Sequence, residues 1–96
     1  MVSPPRVTHD AGARRFVAET PDGPAELAYE PAGQGVLDLQ HTLVPEAERG
    51  RGVGEALVRA AVEHARAEGV RLIPTCPFVE AWRRRHPKDA DVFAEG

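Results

Sequence analysis

The sequence predicts one α/β (α+β) domain, a mixed sheet with helices packed on it, and its changing hydrophobic period carries that prediction. Up to residue 44 apolar and polar residues alternate in short runs, as in strands; from Val53 the apolar residues recur at i, i+3 and i+4, as in a helix. The run Val70-Arg71-Leu72-Ile73 then reads as another strand, and a helix linking two strands favours a parallel, right-handed crossover. The expected order is an antiparallel meander, a helix, a parallel strand and a final helix.

Residues 1–12, with Pro4, Pro5 and Gly12 and little periodicity, read as a flexible lead-in without chemistry, and 13–96 as the single domain. Arg14 to Thr20, through Phe16-Val17-Ala18, is the first strand. Pro21-Asp22-Gly23 is a turn in which proline presets one dihedral and glycine permits another. Ala25, Leu27 and Tyr29 alternate with Glu26, Ala28 and Glu30, which makes a half-buried strand, and Pro31 to Gly35 turns the chain again. Val36 to Val44 is the third strand, where strict alternation sets Leu37, Leu39, His41 and Leu43 on one face. A bulge there would change the face His41 meets.

In the first helix Val53, Ala56, Leu57, Ala60, Ala61, His64 and Ala65 form the buried stripe, so His64 is structural. Glu55, Arg59, Glu63 and Arg66 face outward, and Gly69 stops the helix. The last helix runs from about Pro77 to Arg85 with Phe78, Val79 and Trp82 on one side; Pro87 ends it, and Ala90 to Phe93 packs as one more turn.

Ninety-six residues, 42% hydrophobic and 28% charged, suit one soluble core. The chain has no 18-residue apolar run, and Met1 to Arg6 shows no signal-peptide core, so the cytoplasm is the expected location and a membrane is not an expected partner. A net charge of −3 gives no overall attraction to nucleic acid. The lone Cys76 excludes an intrachain disulfide and is either buried filler or a functional thiol in a reducing compartment. No metal-ligand spacing and no Ser-His-Asp arrangement is present.

The segment Arg49-Gly50-Arg51-Gly52-Val53-Gly54, between the third strand and the helix, reads as a phosphate cradle. Alternate glycines let the backbone approach a ligand, the helix's first free amides point at an anion, and Arg49 and Arg51 add charge. Glu55 after Gly54 breaks the Rossmann spacing, and no Lys-Ser or Lys-Thr completes a Walker loop. Glu46 and Glu48 would repel phosphate if they faced inward, and read as a solvated turn, with the acceptor amine as the other group they could face.

Arg49, Gly52 and Gly54 match in order the R/Q-x-x-G-x-G/A pyrophosphate motif of the GNAT acetyltransferase superfamily. Together with His41-Thr42-Leu43-Val44-Pro45 and Pro74-Thr75-Cys76-Pro77-Phe78-Val79, the chain resembles that superfamily's short, single-domain subfamily over residues 14–93. The resemblance implies acetyl-CoA as cofactor, its pyrophosphate on Arg49, Gly50, Arg51, Gly52, Val53 and Gly54. It also implies that the third and the parallel strand splay apart, so that the pantetheine arm meets backbone around Leu43-Val44 and Ile73-Thr75. An N-acetyltransferase acting on an amine follows. Larger members carry two helices between their first two strands, where this chain has a tight turn. The acceptor site is therefore expected to be open or completed by a partner, a second copy included, and to suit a bulky amine on a protein.

Cys76, where the last strand meets a helix, is the candidate catalytic thiol, as acyl-accepting nucleophile or as proton donor to the leaving thiolate; small buried filler is the alternative. Many relatives use a tyrosine of the last helix as that acid, but the only tyrosine here, Tyr29, lies on a strand. His41 is the candidate general base, against a core histidine. The basic group Arg83, Arg84, Arg85, His86 and Lys88 suits a helix C-terminus, with the adenosine 3′-phosphate of CoA or RNA as other targets. A non-catalytic acyl-CoA-binding module is the rival to the enzyme.

Overall fold

The computed structural model describes residues 5–94 and contains one five-stranded sheet in the order β1-β2-β3-β4-β5. The strands are β1 (Val7–Asp10), β2 (Arg15–Thr20), β3 (Gly23–Pro31), β4 (Val36–Leu43) and β5 (Arg71–Ile73). The first four pair antiparallel and β5 joins β4 in parallel, through the crossover helix α1 (Val53–Glu68). The second helix, α2 (Pro77–Arg85), follows β5 directly.

One correction concerns the lead-in. Val7–Asp10 is an edge strand, pairing Val7 with Ala18 and His9 with Phe16, while residues 1–4 lie outside the described part. Alternation over four residues is too short to stand out in a sequence, and tertiary pairing decides it. His9 stacks on Phe16 with ring centroids 4.4 Å apart, its Nε2 lies 2.6 Å from the Tyr29 hydroxyl, and it meets the edge of His64 on α1 at 4.3 Å.

The β2–β3 turn is held by Thr20: its hydroxyl donates to the Gly23 carbonyl at 2.6 Å and accepts the Asp22 amide at 3.1 Å. Gly23 takes φ 111°, where a side chain would strain the backbone. The core lies on one face of the sheet. Phe16, Ala18, Ala25, Leu27, Tyr29, Leu39 and Leu72 point into it, against Leu57, Val58, Ala61 and Ala65 of α1 and Val79 and Trp82 of α2. Val58 and Val62 are also buried and widen the α1 stripe beyond the predicted positions, in a helix that meets α2 and the chain after it as well as the sheet.

Strict alternation fails in β4. Tyr29 pairs with Leu39 but Ala28 pairs with His41, so Gln40 is an extra residue and the strand bulges. Parity changes there: Leu39 is buried, whereas His41 and Leu43 are exposed on the face away from the helices and Thr42 turns inward. After α2, residues Pro87–Val92 form a 3₁₀ turn, and Phe93 bridges to Leu72 in parallel, with the Ala94 amide donating to the Leu72 carbonyl at 2.8 Å.

Candidate active site

The loop after β4 is built by its glycines. Gly50 and Gly52 hold φ of 81° and 85°, and Gly52 in this left-handed conformation is the residue from which α1 starts. Among the described residues, the amides of Gly52, Val53, Gly54 and Glu55 donate to no protein acceptor, while Ala56 makes the first bond back to Gly52 at 3.0 Å. These are the free donors that every helix start leaves, and here they line a cleft of about 540 Å³ between the loop and α2.

Of the residues singled out from the sequence, the cleft is lined by Val44, Arg49, Gly50, Gly52, Val53 and Gly54. Arg51 lies outside this lining, beside Glu48. Leu43, 58% exposed, points to the opposite face of the sheet, as does His41, because of the bulge at Gln40. Thr75 is exposed and its hydroxyl donates to Asp38, which holds the end of β5 against β4. Cys76 is 4% exposed, within the core, and its amide donates to the Leu39 carbonyl at 2.8 Å. Its sulfur is 3.4 Å from the hydroxyl of Thr42, which does line the cleft.

The cleft contains residues that sequence reasoning missed or read otherwise. Glu48 is buried and lines it, which corrects the reading as a solvated turn. The Asp22 carboxyl shares a hydrogen bond with Glu48 and raises its pKa; burial adds to the rise and Arg51 opposes it. The partner comes from a distant turn, so no local pattern announced it. Phe78, 40% exposed, covers the start of α1, and a Cβ on Gly54 would sit 2.7 Å from its Cζ. Gly54 therefore serves close approach of α2 rather than an unusual φ. Arg85 completes the far wall.

Strands β4 and β5 pair only from Val36/Arg71 to Asp38/Ile73, and the Cys76 amide adds one further bond. Beyond it β4 continues to Leu43 with no strand on that side, so a notch opens next to Thr42. The cleft thus joins unpaired amides at a helix start to an open sheet edge.

A family model described as GCN5-related N-acetyl-transferase matches residues 15–92. The chain belongs to that family. This GCN5-related chain is 37% identical to Protein NATD1 of Bos taurus over 86 residues, 88% of this chain and 76% of the relative, and 36% identical to Protein NATD1 of Homo sapiens over the same shares. A GCN5-like protein from Staphylococcus aureus, solved in solution by NMR, superposes with a TM-score of 0.75 at 25% identity, covering 99% of this chain and 93% of that one. The GCN5-related fold accounts for the notch and the crossover together: α1 must begin at the carboxyl end of β4, where the two strands part. No helix among the described residues is long and apolar enough to cross a membrane, and these residues hold no cluster of metal-ligating side chains.

Proposed function

We propose that the chain binds acetyl-CoA in this cleft and transfers the acetyl group to an amine. The observation that carries the reading is the row of unpartnered amides from Gly52 to Glu55, beside Arg49 in the same cleft. Four N–H groups, a helix dipole and a guanidinium suit a diphosphate, and a Cβ-free backbone at Gly50 and Gly52 lets it come close. The apolar side chains Val44 and Phe78 suit the pantetheine arm.

The coenzyme supplies an activated acetyl thioester; the chain orients it and handles two protons. A neutral amine attacks the thioester carbonyl, its C–N bond forms as the C–S bond breaks, the amine's proton leaves to a base and the sulfur takes one up. His41 faces the open side of the sheet beside the notch, the side from which an acceptor approaches without displacing a helix. It is the base of this scheme. Cys76 lies one residue behind the cleft wall, so the proton-donor role suits it better than nucleophilic attack: its S–H proton passes to the Thr42 hydroxyl, and the Thr42 proton to the departing sulfur. The uncovered face also suits a bulky amine, such as a protein lysine or N-terminus.

Burial of Cys76 and engagement of the lone Tyr29 with His9 favour a second reading, a binder of acyl-CoA without chemistry. Calorimetry with acetyl-CoA, followed by thiol release across a panel of peptide and small amines, separates the two. Binding with release supports the enzyme, binding without release supports the module, and no binding overturns both. Intact-mass spectrometry after mixing tests the thiol: a hydroxylamine-labile acetyl adduct on Cys76 would replace the relay with a nucleophilic route.

A further inference from the structure

The arginines of α2 are not equivalent. Glu80 receives Arg83 Nη2 at 2.5 Å and Arg84 Nε at 2.9 Å, and these bonds hold its carboxyl down to about 2. Arg85 has no carboxylate partner among the described residues, and it lines the cleft. Helical geometry explains the division. Phe78 and Arg85 are spaced i, i+7, two turns apart on one face, so the wall opposite the glycine loop is apolar at the start of α2 and cationic at its end.

The end of α2 is also fixed against the start of α1. The His86 ring stacks on Trp82 at 3.9 Å, its Nδ1 lies 2.8 Å from the Trp82 carbonyl oxygen, and its Nε2 is 3.8 Å from Glu55 Oε1 in the first turn of α1. Arg85 therefore stands beside the free amides without belonging to them. The loop amides and Arg49 suffice for one diphosphate. A guanidinium reaching the same cleft from α2, outside the loop, is placed to serve a second anion.

Coenzyme A carries such a second anion, the monoester phosphate on its ribose. Resting on the acetyl-CoA reading above, we propose that Arg85 binds this 3′-phosphate and thereby makes the chain select the phosphorylated coenzyme over its dephospho form. The planar guanidinium presents paired N–H donors to phosphate oxygens, and Glu80 keeps the neighbouring arginines out of the contest.

The test compares acetyl-CoA with 3′-dephospho-acetyl-CoA by calorimetry at fixed, moderate salt. The parent is expected to bind acetyl-CoA about tenfold more tightly, the range of one charge-assisted contact. Arg85→Ala should bring acetyl-CoA down to the dephospho level and leave the dephospho form unchanged. Arg85→Lys should retain part of the difference, and Arg84→Ala, whose side chain is held by Glu80, should retain all of it. Equal binding of both coenzymes by the parent overturns the assignment while leaving the acetyl-CoA reading intact. Equal weakening of both by Arg85→Ala overturns it too, by placing Arg85 on the diphosphate. Binding of neither coenzyme by the parent overturns the acetyl-CoA reading and this one together.

Discussion

At the scale of single residues, the side chains that matter are paired across the chain rather than along it. Thr42 and Cys76 meet only because β4 and the start of α2 lie side by side, at 3.4 Å between hydroxyl and thiol. If Thr42 relays the thiol's proton, Thr42→Val should lower kcat by about a hundredfold, as general-acid loss does, and Cys76→Ser should lower it less because a hydroxyl still donates. Coenzyme affinity should stay near the parent's in both. Steady-state kinetics with calorimetry checks this, and unchanged kcat in Thr42→Val removes the relay. Glu48 supplies a second prediction. Its pKa is raised by Asp22, burial adding and Arg51 opposing, and a phosphate bound in the same cleft favours its protonated form further. Binding should therefore take up a proton and weaken as pH rises through the Glu48 titration. Glu48→Gln should bind more tightly than the parent on the alkaline side and show a shallower pH slope; equal slopes would show that Glu48 stays in one protonation state. That the glycine loop and Arg49 share one cleft was legible because they are consecutive residues between a strand and a helix. The places of Glu48 and Phe78 were not, since each depends on a contact outside its own segment, with Asp22 and with Gly54; Arg85 was legible only as one member of a basic group, and which arginine lines the cleft follows from the pairing of Arg83 and Arg84 with Glu80.

At the scale of elements, Gly54 of α1 lies directly under the Phe78 ring of α2, and this glycine separates stability from binding. Alanine there gains about 0.5–1 kcal/mol of helix propensity, but its Cβ meets Phe78 Cζ at 2.7 Å. The ring is 40% exposed and can swing, so the expected thermal midpoint of Gly54→Ala is close to the parent's, while the displaced ring narrows the cleft and weakens acetyl-CoA binding. Adding Phe78→Ala should restore part of the affinity that Gly54→Ala loses. A double-mutant cycle in calorimetry measures this, and purely additive losses would show the two residues to be uncoupled. The helices and the parallel crossover were readable because they follow strong periodicity and short connections. The bulge at Gln40 was not fixed by any residue type: it is a matter of register against β3, and it decides that His41 and Thr42 serve opposite sides of the sheet.

At the scale of the whole molecule, one network ties the first strand to the body. His9 touches Phe16, Tyr29 and His64, so β1, β2, β3 and α1 converge on one imidazole. Burial first and His64 second lower its pKa from the ordinary 6.5, with Asp10 opposing. The folded state thus prefers neutral His9. Its contribution is complete above the unfolded value and is lost as pH falls through about 6.5 toward the lowered folded value. The thermal midpoint should drop between about pH 7.5 and about pH 5.5, and His9→Gln should show a smaller drop. Circular dichroism melts at both pH values check this; parallel curves would remove His9 from the acid response. The same convergence explains why the first strand escaped the sequence reading: four residues acquire strand character only once their partners are in place. The other border of the sheet is treated differently. Phe93 and the Ala94 amide occupy the outside of β5, so its hydrogen-bonding groups are engaged by the chain's own tail. On that flank the outer hydrogen-bonding groups of β5 are taken up within the chain, so the edge left to another strand is the four-residue β1 between Arg6 and Ala11, short and closed by Asp10, which offers little length for a second molecule to pair with.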